Sequence, residues 1–184
     1  MSAIVVARWQ SWDGTGIEHL VLRESRSEIV AESVVVASAG REKFAIQYRV
    51  RCDRSWCVRS AEIGLLGEGR RIEIAGDRKG NWADASGKAL PKLRGAIDID
   101  LSVTPFTNAL PIRRLKLKVG QSADIRTVYI VAPALTLTTD PQRYTRLGEQ
   151  RYRYESLDSD FTRNIEIDRR GLVVKYPGLF RRSL

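Results

Sequence analysis

The sequence is poor in the residues that build the commonest catalytic and metal-binding centres. Its 184 residues include one histidine, His19, and two cysteines, Cys52 and Cys57. A zinc site would have to combine all three with carboxylates at no recognisable ligand spacing, so no metal is expected. No GxSxG elbow occurs, and GLLGEG has neither the spacing nor the lysine of a phosphate loop. With a lone histidine, a serine or cysteine hydrolase has no support, and no cofactor is expected. Long apolar runs are also missing. The opening MSAIVVARWQ has too few apolar residues before Arg8 for a signal-peptide core or a membrane span, so a cytoplasmic chain with reduced thiols is the expectation. No window of a dozen residues carries an apolar stripe of helical period. No shift in composition marks a linker, and residues 1–184 read as a single domain.

Positive charge and short alternation are what the chain has instead. It carries 31 basic against 22 acidic residues, a net charge of +9, with 24 arginines to 7 lysines. Guanidinium groups pair bidentately with carboxylates and phosphates, but these arginines are scattered among acids along the whole length. FAIQYRVRC (44–52) alternates apolar and polar residues with period two, the pattern of a strand with one dry face. AIDIDLSV, RLKLKV and RYRY repeat it, whereas IVAESVVVA and TVYIVA read as strands covered on both sides. Turn signals such as WDGTG, SAG, GDRKGN, DASGK and YPG recur at short intervals. The fold class expected is mainly β, a single antiparallel barrel or wrapped sheet wide enough to hold a small ligand, with short helices near Pro91 to Arg94 and within 104–115. Asp140-Pro141 has the form of a helix start, but RYTRLGEQRYRY after it fits strands better.

TPFTNALPIRRL (104–115) is the most unusual stretch. Two prolines fix its path while Phe106, Leu110, Ile112 and Leu115 are apolar, which predicts a rigid buried crossing that plugs one end of the barrel. A functional reading adds that Phe106 and Leu110 line the interior, that Asn108 offers a donor and an acceptor, and that Arg113 or Arg114 meets an anionic head group. Tyr48, Trp82, Tyr144 and Tyr176 are candidate lining or rim residues, since amphipathic rings cover acyl chains and stack on sugars. Asp98 and Asp100 share a strand face roughly 6.5 Å apart; two acids so placed usually form a wet face or pair with arginines, here Arg113 or Arg114, and a small-molecule hydrolase or isomerase is the alternative. RYTRLGEQRYRY interleaves cations and rings as single-strand nucleic-acid binders do, but Glu149 and Glu155 interrupt it and no nucleic-acid motif accompanies it. Nucleic acid is therefore not the expected partner.

TPFTNALPIRRL, preceded by IDIDLSV and GNWADASGKAL and followed by QRYTRL, YRYES and RGLVVKYPGLFRR, resembles the glycolipid-binding family of bacterial proteins, formerly a domain of unknown function. The resemblance covers nearly the whole chain. It implies an incompletely closed antiparallel β-barrel similar to lipoprotein carriers, with an apolar cavity under a concave sheet. The expected partner is an amphipathic lipid or glycolipid-like molecule that is bound and not transformed.

Overall fold

The computed structural model describes residues 3–183. Seven strands follow one another as an antiparallel meander: β1 (Ala3–Ser11), β2 (Ile17–Glu24), β3 (Ile29–Ala39), β4 (Glu42–Cys52), β5 (Val58–Leu65), β6 (Arg71–Gly76) and β7 (Trp82–Asp84). A second set consists of β8 (Asp98–Leu101), β9 (Ser122–Val131), β10 (Thr136–Gly148), β11 (Arg151–Ser156), β12 (Thr162–Ile167), β13 (Val173–Tyr176) and β14 (Phe180–Ser183). Pairing of β14 with β1 joins the two into one 14-stranded sheet whose free edges are β7 and β8. The sheet is mainly antiparallel, as the strand pattern predicted, and not closed, as the family resemblance implied. Only β8 with β9 is parallel, because a helical segment, not a hairpin, connects them.

That connection is TPFTNALPIRRL. Phe106–Asn108 form a 3-10 turn that runs into helix α1 (Ala109–Leu115), and a second 3-10 turn spans Pro91–Leu93. Pro111 falls in the first turn of α1, where a missing N–H removes no intrahelical bond. Lys116 closes the helix in the left-handed region at φ 49°. Thr104 Oγ1 accepts from the Phe106 backbone N–H at 3.0 Å, which fixes the entry to the turn. Every residue from 104 to 112 is buried, so the segment is a packed crossing over the sheet. It lies between two apolar clusters. Phe106, Ala109 and Leu110 join the larger one, built from β1–β9, whereas Ile112 joins a tyrosine-rich cluster of Tyr144, Tyr152, Tyr154 and Tyr176.

Three strand readings need correcting. IVAESVVVA is not covered on both sides: β3 alternates, and Val34 and Val36 are exposed. In β9 only Thr127 and Val128 are buried in succession. In IDIDL the acid-bearing face is wet only in part, because α1 and its flanking turn roof it: Asp98 is buried with Ile99 and Leu101, and Asp100 is half-buried at the edge of a cleft. Asp140 and Pro141 lie within β10, not at a helix start.

Candidate functional site

Two pockets of unlike character open side by side where the loop after β8 meets the turn between β13 and β14. The first, about 370 Å³, is a cleft lined by Asp100, Asp140 and Asp158 together with Tyr129, Tyr154 and Tyr176. The second, about 280 Å³, has Trp9, Trp12, Ile17, Val35, Ala37 and Val103 in its walls. Ser102, Leu179 and Phe180 belong to both, so the two adjoin. Among the described residues no lysine, arginine or histidine lines either pocket, in a chain with a net charge of +9.

The cleft is held in place by its hydrogen bonds. Asp100 Oδ1 accepts from Thr107 Oγ1 at 3.0 Å, and Gln142 Nε2 donates to both Asp100 Oδ2 and Asp140 Oδ2 at 2.7 Å. Gln142 thus sets the spacing of two carboxyl groups that would otherwise repel. Burial raises the pKa of Asp100 against these donors; burial raises that of Asp140 as well, helped by the charge of Asp158. Asn108, which also lines the cleft, accepts at Oδ1 from the Tyr144 hydroxyl at 2.9 Å. Tyr154 packs edge-on to Tyr144 at 5.5 Å and to Phe161 at 5.9 Å, so the aromatic wall is supported from behind.

The second pocket contains a buried acid. Glu18 is 3% exposed, and its Oε1 accepts from Tyr48 OH at 2.6 Å and Ser33 Oγ at 2.8 Å. Its Oε2 has no partner. Burial pushes its pKa up to about 7 despite those donors and the positive charge of Arg182.

Two comparisons with known proteins identify the relatives of this chain. The family described as "Putative glycolipid-binding" matches residues 6–182. The chain belongs to that family. A crystal structure of a DUF1089 family protein from Pseudomonas aeruginosa is 40% identical, covers 92% of each chain and superposes with a TM-score of 0.83. No curated protein matches.

Within this member of the family, the residues expected to form a site are distributed as follows. Asn108 and Tyr176 line the cleft. Phe106 stacks on Tyr48 at 6.2 Å and, like Leu110, is sealed in the core, so neither reaches the cleft surface. Tyr144 stands behind the cleft through its bond to Asn108, and Trp82 is buried with its indole N–H donating to the Ala96 carbonyl at 2.7 Å. Neither arginine lines the cleft or the adjoining pocket. Arg114 grips Asp98 with Nε at 3.0 Å and Nη2 at 2.5 Å, because Asp98 would otherwise be a lone charge under α1. Arg113 lies 4.6 Å over the Trp56 ring and donates to the Arg170 carbonyl at 2.7 Å. The guanidinium pair expected at a head group therefore serves internal contacts. Asp98 and Asp100 likewise part company: the first is locked to Arg114 and only the second faces the cleft. Cys52 and Cys57 are both free thiols.

Sequence reasoning did not single out Glu18, Tyr129, Asp140, Tyr154 or Asp158. Glu18 had a signal, since it shares strand parity with Leu20 and Leu22 and so had to face inward. Asp140 and Asp158 had none, because they lie far apart in the chain and meet only through the pairing of β10 with β11.

Proposed function

We propose that this protein binds a glycolipid-like amphiphile without transforming it, with a sugar-like head group in the tyrosine and aspartate cleft and the apolar portion in the adjoining pocket. The observation that carries this reading is the shared wall of Ser102, Leu179 and Phe180 between a cleft rich in acids and tyrosines and a pocket richer in apolar side chains. Carboxyl groups, the Asn108 amide and the Ser156 and Ser159 hydroxyls offer a polyol several acceptors and donors, while tyrosine rings offer flat faces for its C–H surface. Each methylene buried in the second pocket contributes about 0.8 kcal/mol. The absence of cationic side chains from both linings favours a neutral head group over a phosphate or sulfate. This differs from the arginine grip expected from the sequence. The name of the family agrees with the reading.

Dodecyl maltoside below its micellar concentration tests it. Trp9 and Trp12 line the apolar pocket, so their fluorescence reports occupancy. Binding should be saturable and at least about tenfold tighter than for dodecyl sulfate, and Tyr154→Ala should weaken the maltoside about tenfold. Tighter binding of the sulfate, or no loss in the variant, would sink the assignment of the cleft.

A further inference from the structure

The outer face of the sheet, opposite the two apolar clusters, has an apolar patch that none of the described residues covers. Strand parity brings Ile4, Val6, Ile17, Val34 and Val36 to this face, where they are 60%, 55%, 53%, 44% and 50% exposed. The register makes them neighbours. Ile17 pairs with Val36 and Val6 with Val21, while His19 lies between Arg8 and Val34, so the residues form one patch across β1–β3 and not scattered singles. Arg8, Arg23, Arg49 and Arg51 share the face through the same cross-strand rows, with Glu28 and Glu32 as acids among them and Glu28 paired with Arg51 at 2.8 Å. Arg23 and Arg49 both pair with Glu32, so one carboxylate answers two guanidinium groups.

Two further features narrow the occupant. Four arginines against Glu28 and Glu32 leave the surface of β1–β4 with an excess of positive charge, which makes a second copy of the same face a poor match because like charges would meet. The patch is also continuous with the apolar pocket. Ile17 belongs to both, and Trp12 and Leu179, 43% and 38% exposed, stand at the rim of that pocket. A surface that combines aliphatic side chains, arginines and the entrance to an apolar cavity fits a layer that is anionic at its head groups and apolar beneath them.

We propose that the outer face of β1–β3 docks this protein on an anionic lipid bilayer, with Ile17 and Trp12 at the contact so that an amphiphile passes between bilayer and pocket along the patch. The proposal gives the amphiphile reading its source of ligand and rests on that reading for its purpose. Its test does not depend on it.

The experiment is co-sedimentation of the full chain with vesicles of phosphatidylcholine alone or mixed with phosphatidylglycerol, at low and high salt. Binding to the mixed vesicles should be about tenfold or more stronger at low salt and should fall as salt screens the arginines. Val6→Gln with Val34→Gln should lower binding about tenfold while maltoside binding, which measures the fold and the pocket, stays unchanged. Arg8→Gln with Arg51→Gln should weaken binding to the mixed vesicles and leave the residual binding to phosphatidylcholine as it was. Equal binding to both vesicle types, no binding to either, or undiminished binding by the valine variant would overturn the proposal. A stable dimer lost in the valine variant would overturn it in favour of self-association. Vesicle binding without maltoside binding would uphold docking and reject the amphiphile pocket instead.

Discussion

Glu18→Gln should change how stability depends on pH, by an amount that follows from the burial of this one carboxyl. Glu18 has an ordinary value of 4.5 raised to about 7 in the fold, chiefly because burial penalises its charged form. Below pH 4.5 the group is protonated in both folded and unfolded chains and contributes no difference. Between pH 4.5 and about 7 the folded chain keeps a proton that the unfolded chain has released, so each rise in pH costs stability. Above that range both states are ionised and the loss is complete, at about 3 kcal/mol from the size of the shift. A glutamine cannot ionise, and its amide oxygen can still accept from Tyr48 and Ser33. Other acids also titrate, so the decisive quantity is the difference between the two chains in urea denaturation from pH 4 to pH 8. The variant should gain about 3 kcal/mol on the wild type across that range, most of it between pH 5 and pH 7. A difference that stays constant with pH would show that Glu18 is charged and solvated in the folded chain, and would refute the buried geometry argued for the second pocket.

Arg114→Met should lower stability by about 3 to 5 kcal/mol in urea denaturation, because it strands the buried Asp98 carboxylate. Replacing both partners with apolar residues should restore most of that loss, and a double variant as weak as the single one would show that the helix depends on the charges themselves. Gly80→Ala should cost about 1 to 3 kcal/mol in the same assay, since Gly80 has φ +87° and an added Cβ would lie 2.8 Å from Gly95 Cα. Wild-type stability in that variant would mean that the turns carrying these glycines are free to part.

How much of this was legible in the sequence depended on whether the signal was local. Strand period, turn residues and the two prolines of TPFTNALPIRRL are local, and they yielded the antiparallel sheet and the buried crossing, whereas its incomplete closure was implied by the family resemblance alone. Covering is not local. The acids of IDIDL alternate like a wet strand face, but α1 lies on that face, and Arg114 follows Asp98 by a distance in sequence that no strand pattern encodes. The sequence therefore left Arg114 both as a ligand-binding group and as a partner of these acids, and burial decides for the second, the counter-ion of Asp98. The cleft was the least legible part. Asp100 comes from β8, Asp140 from β10 and Tyr176 from β13, and their meeting follows only from the strand order of the finished sheet.

The distribution of charge then separates the two faces of the molecule by task. A chain with nine more cations than acids could have placed arginines anywhere, yet both adjoining pockets contain carboxylates and no cationic side chain among the described residues. A cationic lining would hold an anionic head group strongly and release it slowly. A lining of carboxyl groups, hydroxyls and rings holds a neutral polyol through many weak bonds, each exchangeable with water. Long-range attraction to a negatively charged surface comes instead from the arginines outside, where it steers encounter without fixing the ligand. Under the proposed function, attraction to the source and grip on the cargo would be carried by different residues. Salt should accordingly weaken vesicle docking while leaving the affinity for dodecyl maltoside within about twofold. Parallel losses in both would mean that one charged surface serves both tasks.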